Sequence, residues 1–311
     1  MQCVSTTLDT NGGGGIGLHM SSFSIPGFDL EAFVAATLAE DLGNGLPGGG
    51  HDVTCESVIP ADARFTGVMD SRDAITVCGL PIAAAFFRAL DPEMTIEILV
   101  EEGARVPAGS DLMRLEGNAR AMLTAERSAL NTVQHLSGVA TLTRQYVDAI
   151  DAFGGTTKAR LLDTRKTIPG LRHLEKYAVR TGGGSNHRMG LWDAAMIKDN
   201  HVLVAGGVAE AVRRALSAGV KDVICEVDHI NQIEPALAAG ATRLLLDNMG
   251  PDMLREAVAL VAGRVPCEAS GGVRLDTIGA IAASGVDYVS VGRLTQSAPA
   301  ADIGLDFTPL G

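Results

Sequence analysis

Val223-Ile-Cys-Glu-Val227, Arg243-Leu-Leu-Leu-Asp247, Pro266-Cys-Glu-Ala269 and Tyr288-Val-Ser-Val291 are short, almost wholly apolar runs, and the stretches between them, Gln232–Ala239, Asp252–Val261 and Thr277–Ala283, have helical spacing. Apolar runs this short, with no polar alternation, read as strands buried on both faces, and strands that alternate with helices must be joined by right-handed crossovers into a parallel sheet. Working back towards the N-terminus, the same rhythm gives Ala159–Asp163, Ala195–Lys198 and a helix over Val208–Ala218. Each run ends in a polar group: Asp163/Arg165, Lys198/Asp199, Glu226/Asp228, Asp247/Asn248, Glu268/Ser270 and Gly292. Function collected at the C-terminal ends of successive parallel strands predicts a closed or nearly closed β/α barrel of about six to seven strands, with its site on that face.

The first crossover, 158–198, is long and Gly-rich, and it holds nine Lys/Arg against three acids, a balance of +6 in a chain whose net charge is −12. Concentrated positive charge beside tight Gly turns suits a small anion carrying carboxylates or phosphates. Ser270-Gly271-Gly272 and Val291-Gly292-Arg293 follow the last strands, where many barrels bind phosphate through backbone N–H groups.

Composition excludes other classes. An acidic chain with 4% aromatic residues offers neither a basic face nor a stacking platform for nucleic acid. No apolar run approaches a membrane span. Scattered cysteines (Cys3, Cys55, Cys78, Cys225, Cys267) without a C-x-x-C spacing point to a reducing, cytoplasmic setting and to no structural zinc. Residues 1–22, with Gly12–Gly15, read as a tail without signal-peptide character. Residues 23–120 read as a smaller N-terminal α+β domain: a helix over Phe28–Leu42, then extended runs at Ala63–Ser71, Ile75–Cys78 and Thr95–Val100. Residues 121–157 form a connecting helical region, 158–296 the barrel and 297–311 a return segment.

Longer strings make the chain recognisable. D-T-R-K-T-I-P-G-L-R-H-L-E-K-Y-A-V-R-T-G-G-G-S-N-H-R-M-G-L from Asp163, I-K-D-N-H at 197–201, A-E-R-S-A-L-N at 125–131, L-S-G-V-A-T at 136–141, L-L-D-N at 245–248, E-A-S-G-G-V at 268–273 and V-D-Y-V-S-V-G at 286–292 closely resemble quinolinate phosphoribosyltransferase. The resemblance runs from about 29 to 308. It implies transfer of phosphoribose from phosphoribosyl pyrophosphate (PRPP) to quinolinate, giving nicotinate mononucleotide, pyrophosphate and carbon dioxide on the route to NAD. It also implies Mg²⁺ as cofactor and a homodimer, or a hexamer of dimers, with shared active sites.

By the same resemblance, Arg165, His187, Arg188 and Lys198 line the quinolinate pocket, and Arg127 of a neighbouring subunit completes it. A planar guanidinium fork suits a carboxylate. Lys166, Ser270, Gly271, Gly272 and Gly292 match the PRPP positions, and Glu226 and Asp247 match carboxylates associated with the ribose and the metal; Lys166, Lys198, Glu226 and Asp247 are the expected catalytic set. Lys158, Arg160, His201 and Glu268 read equally well as structural. Arg127, set among Leu123, Leu130 and Val133, is expected to be at least half-buried and to need an anionic partner, or else to pair with Glu126 or Glu101.

Two departures stand out. Leu46-Pro-Gly-Gly-Gly-His51 is inserted into the family's E-D-L-G-x-G-D-x-T, and Gln296 replaces the His of V-G-x-L-T-H-S. Three other readings compete. A relative with a different acceptor, of the molybdenum-transport-associated or nicotinate type, would usually lack I-K-D-N-H or need one carboxylate site. A barrel aldolase would use Lys198 as a Schiff base. A non-catalytic binding module should lack a pocket cation or acid.

Overall fold

The computed structural model describes residues 23–43, 50–153 and 157–310. The expected tail at 1–22 and most of the 46–51 insertion lie outside them.

The chain begins with α1 (Leu30–Leu42), α2 (Val53–Val58), β1 (Arg64–Ser71), β2 (Ile75–Thr76), α3 (Leu80–Leu90), β3 (Thr95–Ile98), β4 (Arg105–Val106) and β5 (Ser110–Asn118). Local chemistry sets the helix ends. Asp29 accepts the Ala32 N–H to cap α1, and Asp52 accepts those of Thr54 and Cys55 to cap α2. Two elements here are invisible to pattern reading. Leu80–Leu90 is apolar but for Arg88 and so shows little helical period, and the strand Ser110–Asn118 follows what reads only as a turn.

Next comes α4 (Ala119–Ala152), a single helix of 34 residues. Ala125, Ala129, Val133, Leu136 and Ala140 recur at three- and four-residue steps, so one stripe of it is buried. A Cβ at Gly138 would lie 2.0 Å from the Pro299 carbonyl oxygen, so only glycine lets the late chain cross the helix here. The crossing is sealed by Ala301 N–H donating to the Gln134 carbonyl and by the Gln134 amide donating to the Ile303 carbonyl.

The remaining elements are β6 (Arg160–Leu162), α5 (Arg172–Thr181), β7 (Ala195–Ile197), α6 (Asp199–Ala205), α7 (Val208–Ser217), β8 (Val223–Val227), α8 (Ile233–Ala239), β9 (Arg243–Asp247), α9 (Pro251–Val261), β10 (Cys267–Ser270), α10 (Ile278–Ala282), β11 (Tyr288–Ser290), α11 (Arg293–Gln296) and β12 (Ile303–Pro309). The parallel strands stand in the order β6-β11-β10-β9-β8-β7. No ladder joins β6 to β7 among the described residues. The Gly-rich turn after α5 lies along the open edge of β6 instead: Ser185 N–H donates to the Leu161 carbonyl and Asp163 N–H to the Ser185 carbonyl. The barrel is thus six full strands and part of a seventh. The return segment does not stay with it, because β12 pairs antiparallel with β1 in a sheet ordered β12-β1-β5-β3. The smaller domain is therefore built from both ends of the described chain.

Candidate active site

A cavity of about 960 Å³ opens at the C-terminal ends of the parallel strands. Arg165 and Lys166 after β6, His187 and Arg188 from the Gly-rich turn, and Lys198 after β7 form one wall. Glu226, Asp247, Ser270, Gly271, Gly272 and Gly292, from β8 to the end of β11, form the other. This is near the top of the usual range for a ligand pocket and leaves room for two polar molecules side by side.

Burial pulls the Arg188 guanidinium below its ordinary range, and the Arg165 charge lowers it further. Among the described residues neither arginine forms an ion pair, and Arg165 Nε is buried with no hydrogen-bond partner. The Asp193 charge offsets part of the repulsion between these cations, and the repulsion that is left suits a bound anion. What holds them together is a scaffold of fully buried charge. Lys176 on α5 is paired with Asp163, and the same carboxylate accepts the His187 N–H at 2.8 Å and the Asn186 amide at 2.6 Å. Burial pushes the Asp163 carboxyl up and the Lys176 ammonium down, and their mutual attraction opposes both. Asp193 accepts the N–H groups of Met189 and Gly190, closing the turn beyond Arg188.

On the acidic side, Lys198 Nζ lies 2.6 Å from Glu226 Oε2. A carboxylate oxygen from each of Glu226, Asp228 and Asp247 falls within 4.8 Å of the others. Burial, then the Glu226 charge, pushes the Asp247 carboxyl up. A crowded set of hard oxygen donors, in which the Glu226 and Asp228 charges help push Asp247 up, fits a divalent cation such as Mg²⁺.

Close approach explains the glycines. Gly271 has φ +90°, and a Cβ there would lie 2.2 Å from Asn248 Oδ1. A Cβ on Gly292 would lie 2.7 Å from Lys166 Cδ, so this glycine lets the lysine stem pass. Gly272 faces open space. Arg274, Arg293, Asn248 and Asp228 also touch the cavity or its acid cluster; Asp228, Asn248 and Arg293 stood in the sequence only as strand-end or turn residues without a site role, and Arg274 not at all. Arg274 and Arg293 each follow a Gly turn by one or two residues, which is the signal that could have found them. Gln296 lines the same rim.

Some expectations change. Arg127 is exposed on α4, away from this cavity, and among the described residues it pairs with neither Glu126 nor Glu101. The argument from a costly buried guanidinium therefore fails within one chain: Leu130 and Val133 turn inward while Arg127 faces out. His187 lines the cavity, but both ring nitrogens already have protein partners: Nδ1 accepts the Arg188 N–H at 2.7 Å, and Nε2 lies 3.2 Å from Glu268. Lys158 and Arg160 sit at the opposite end of the barrel, where Lys158 pairs with Asp287. His201 Nδ1 accepts the Lys198 N–H and caps α6.

Family models match both parts of the chain: "Quinolinate phosphoribosyl transferase, N-terminal domain" over residues 52–137 and the C-terminal domain over 139–306. The chain belongs to the quinolinate phosphoribosyltransferase family. The boundary between the matches falls inside α4, which serves both domains. The nicotinate-nucleotide pyrophosphorylase [carboxylating] of Mycobacterium leprae is 42% identical over 280 residues, covering 88% of this chain and 95% of the relative. A mitochondrial quinolinate phosphoribosyltransferase [decarboxylating] of Nicotiana tabacum is 39% identical over 300 residues, covering 90% of this chain and 82% of the relative. Among solved structures, NadC from Streptococcus pyogenes superposes with a TM-score of 0.85 at 36% identity, covering 93% of this chain and all of that one. The described residues of this family member include no helix long and apolar enough to cross a membrane.

Proposed function

We propose that this chain is a decarboxylating quinolinate phosphoribosyltransferase of NAD biosynthesis, turning quinolinate and PRPP into nicotinate mononucleotide, pyrophosphate and carbon dioxide. The observation that carries the reading is the convergence of unpaired cations with a carboxylate cluster on one cavity at the strand ends. Arg165, Arg188 and Lys198 hold the two carboxylates of quinolinate. Lys166 and the Gly turns hold the diphosphate of PRPP, with Arg274 and Arg293 at the rim. Glu226 and Asp247 stand where positive charge develops on the ribose. The pyridine nitrogen forms a bond to the anomeric carbon as the bond to pyrophosphate breaks with its electron pair. When the adjacent carboxylate leaves as carbon dioxide, its electron pair stays on the ring carbon, stabilised by the neighbouring cationic nitrogen, and that carbon takes a proton from solvent to give nicotinate mononucleotide. No protein nucleophile is needed, and holding two anions in register supplies much of the acceleration. Glu226, Asp228 and Asp247 would hold Mg²⁺, which would offset the charge of the leaving diphosphate.

The aldolase reading is disfavoured because Lys198 stands beside Arg165, Lys166 and Arg188 on one cavity, a gathering of cations that suits an anionic substrate rather than a carbonyl. We place the enzyme in the cytoplasm, in keeping with the free thiols of Cys55, Cys78, Cys225 and Cys267. A dimer with shared sites has its own support: Leu191, Trp192, Leu203 and Val204 are at least 71% exposed, and Leu191 borders a hollow that also touches Arg165, Arg188 and Lys198. An apolar patch flanking charged site residues suits a subunit interface.

The test is carbon dioxide release from quinolinate labelled at the leaving carboxylate. Release that requires PRPP is expected, and release without PRPP, or none with it, would overturn the reading.

A further inference from the structure

Glu268, on β10, is completely buried in the barrel and lines the cavity, yet the chemistry above gives it no task. Its partners form a chain. Oε2 lies 3.2 Å from His187 Nε2 and 3.4 Å from Arg243 Nη1, and the Arg243 guanidinium rests 4.7 Å above the Tyr288 ring. Beyond His187 the chain continues, since Nδ1 accepts the Arg188 N–H and Arg188 Nη1 donates to the Ala194 carbonyl at 2.8 Å. Burial pushes the Glu268 carboxyl up, but its contact with His187 foremost, then Ser290 and the Arg243 charge, outweigh it, and the group is held below its usual range.

The hydrogen-bond directions leave little choice. A backbone N–H can only donate, so His187 Nδ1 must be the bare, accepting nitrogen. The ring proton then sits on Nε2 and points to Glu268. A carboxylate is the acceptor that stabilises this tautomer, in the way second partners fix the rings of functional histidines.

We infer that Glu268 is a positioning residue: by fixing the Nε2–H tautomer of His187 it lets Nδ1 clamp the Arg188 backbone, and the clamp aims the Arg188 guanidinium into the cavity. His187 therefore acts on substrate through Arg188 and not through its own nitrogens. The consequence for catalysis rests on the proposal that Arg188 reads a quinolinate carboxylate; the tautomer itself does not.

Two readouts keep these apart. In ¹⁵N spectra of the ring nitrogens, with the His187 signals assigned by their loss in His187→Asn, the wild-type enzyme should show a protonated Nε2 and a bare Nδ1. Glu268→Leu should mix the tautomers and raise KM for quinolinate roughly tenfold, leaving KM for PRPP unchanged. Glu268→Gln keeps an acceptor for Nε2–H and should stay close to wild type in both readouts. A protonated Nδ1 in the wild-type enzyme overturns the inference whatever the variants do, including a Glu268→Leu that does not fold. So does a folded Glu268→Leu with wild-type tautomer and quinolinate KM. A correct tautomer in a protein that releases no carbon dioxide would instead count against the proposed reaction and leave the clamp standing.

Discussion

At the strand starts of the barrel, Lys158 meets Asp287 at 2.7 Å, the second oxygen of Asp287 accepts the Cys267 N–H, and Asp222 accepts the Thr242 hydroxyl. At the strand ends, Arg165 and Arg188 repel each other without an acid between them, and Asp247 sits against Glu226. The same sheet carries both rims, so the difference is not one of backbone. Charge at the strand starts is matched inside the chain, whereas the strand-end cavity holds, beside the matched Lys198–Glu226 pair, cations and acids that no partner balances. The basic stretch 158–198 contains both kinds: Lys158 and Lys176 are matched, and Arg165 and Arg188 are not.

Removing a matched charge from the interior should break the fold. Lys176→Met leaves Asp163 buried and unpaired, and a denaturant midpoint should reveal a loss of about 3–5 kcal/mol. A variant as stable as its parent would mean that the pair does not hold the Gly-rich turn. Removing an unmatched charge should leave the fold and break the chemistry. Arg188→Ala is expected to lose about 3 kcal/mol of transition-state stabilisation, or more than a hundredfold in kcat/KM, with an unchanged melting temperature. Wild-type turnover at low quinolinate would remove Arg188 from the site.

Arg127 tests whether the imbalance is shared between subunits. Arg127→Ala and Lys166→Ala should each be nearly inactive, and mixing them under subunit exchange should restore part of the activity, because one site of each mixed dimer is intact. If mass analysis proves exchange and no activity returns, Arg127 does not reach a neighbour's cavity. Gln296→His, assayed at pH about 6 where an ordinary imidazole is mostly charged, should lower KM for PRPP a few-fold and leave quinolinate alone. An unchanged PRPP dependence would take position 296 out of the phosphate rim. The smallest effect is expected at the strand starts: Lys158→Ala should match wild type in both melting temperature and rate, and a rate defect there would blur the contrast between the two rims.

The barrel was legible because its strands are short, apolar and end in chemistry, and that signal survives without knowledge of any contact. α4 was legible from its period, although it starts at Ala119, just ahead of the expected connecting region 121–157, and ends at Ala152, inside it. What the sequence hid has physical causes. α3 is buried over most of its length and apolar but for Arg88, so it shows little stripe, and α5 lies in a stretch whose charges mask its inward face, including the buried Glu175 and Lys176. The positions of Arg165 and Lys198 on one cavity followed from strand-end logic, and that of Arg188 from the basic Gly-rich crossover and the family resemblance. The outward turn of Arg127 did not, since a single chain cannot show which apolar neighbours face the same way. The double engagement of His187 depends on Glu268, far along the chain, and no spacing rule connects them.

The β1–β12 pairing brings together Thr66 and Thr308, 242 positions apart in sequence, with the Thr66 hydroxyl donating to the Thr308 carbonyl. On the ribosome, the first sheet must therefore wait with an open edge while the whole barrel is synthesised. Contacts of such separation are slow to form, and an unpaired edge is a template for pairing with other chains. The order of synthesis thus makes β1 the place where a nascent chain is most exposed to misassembly, and chaperone capture before β12 emerges should centre on it.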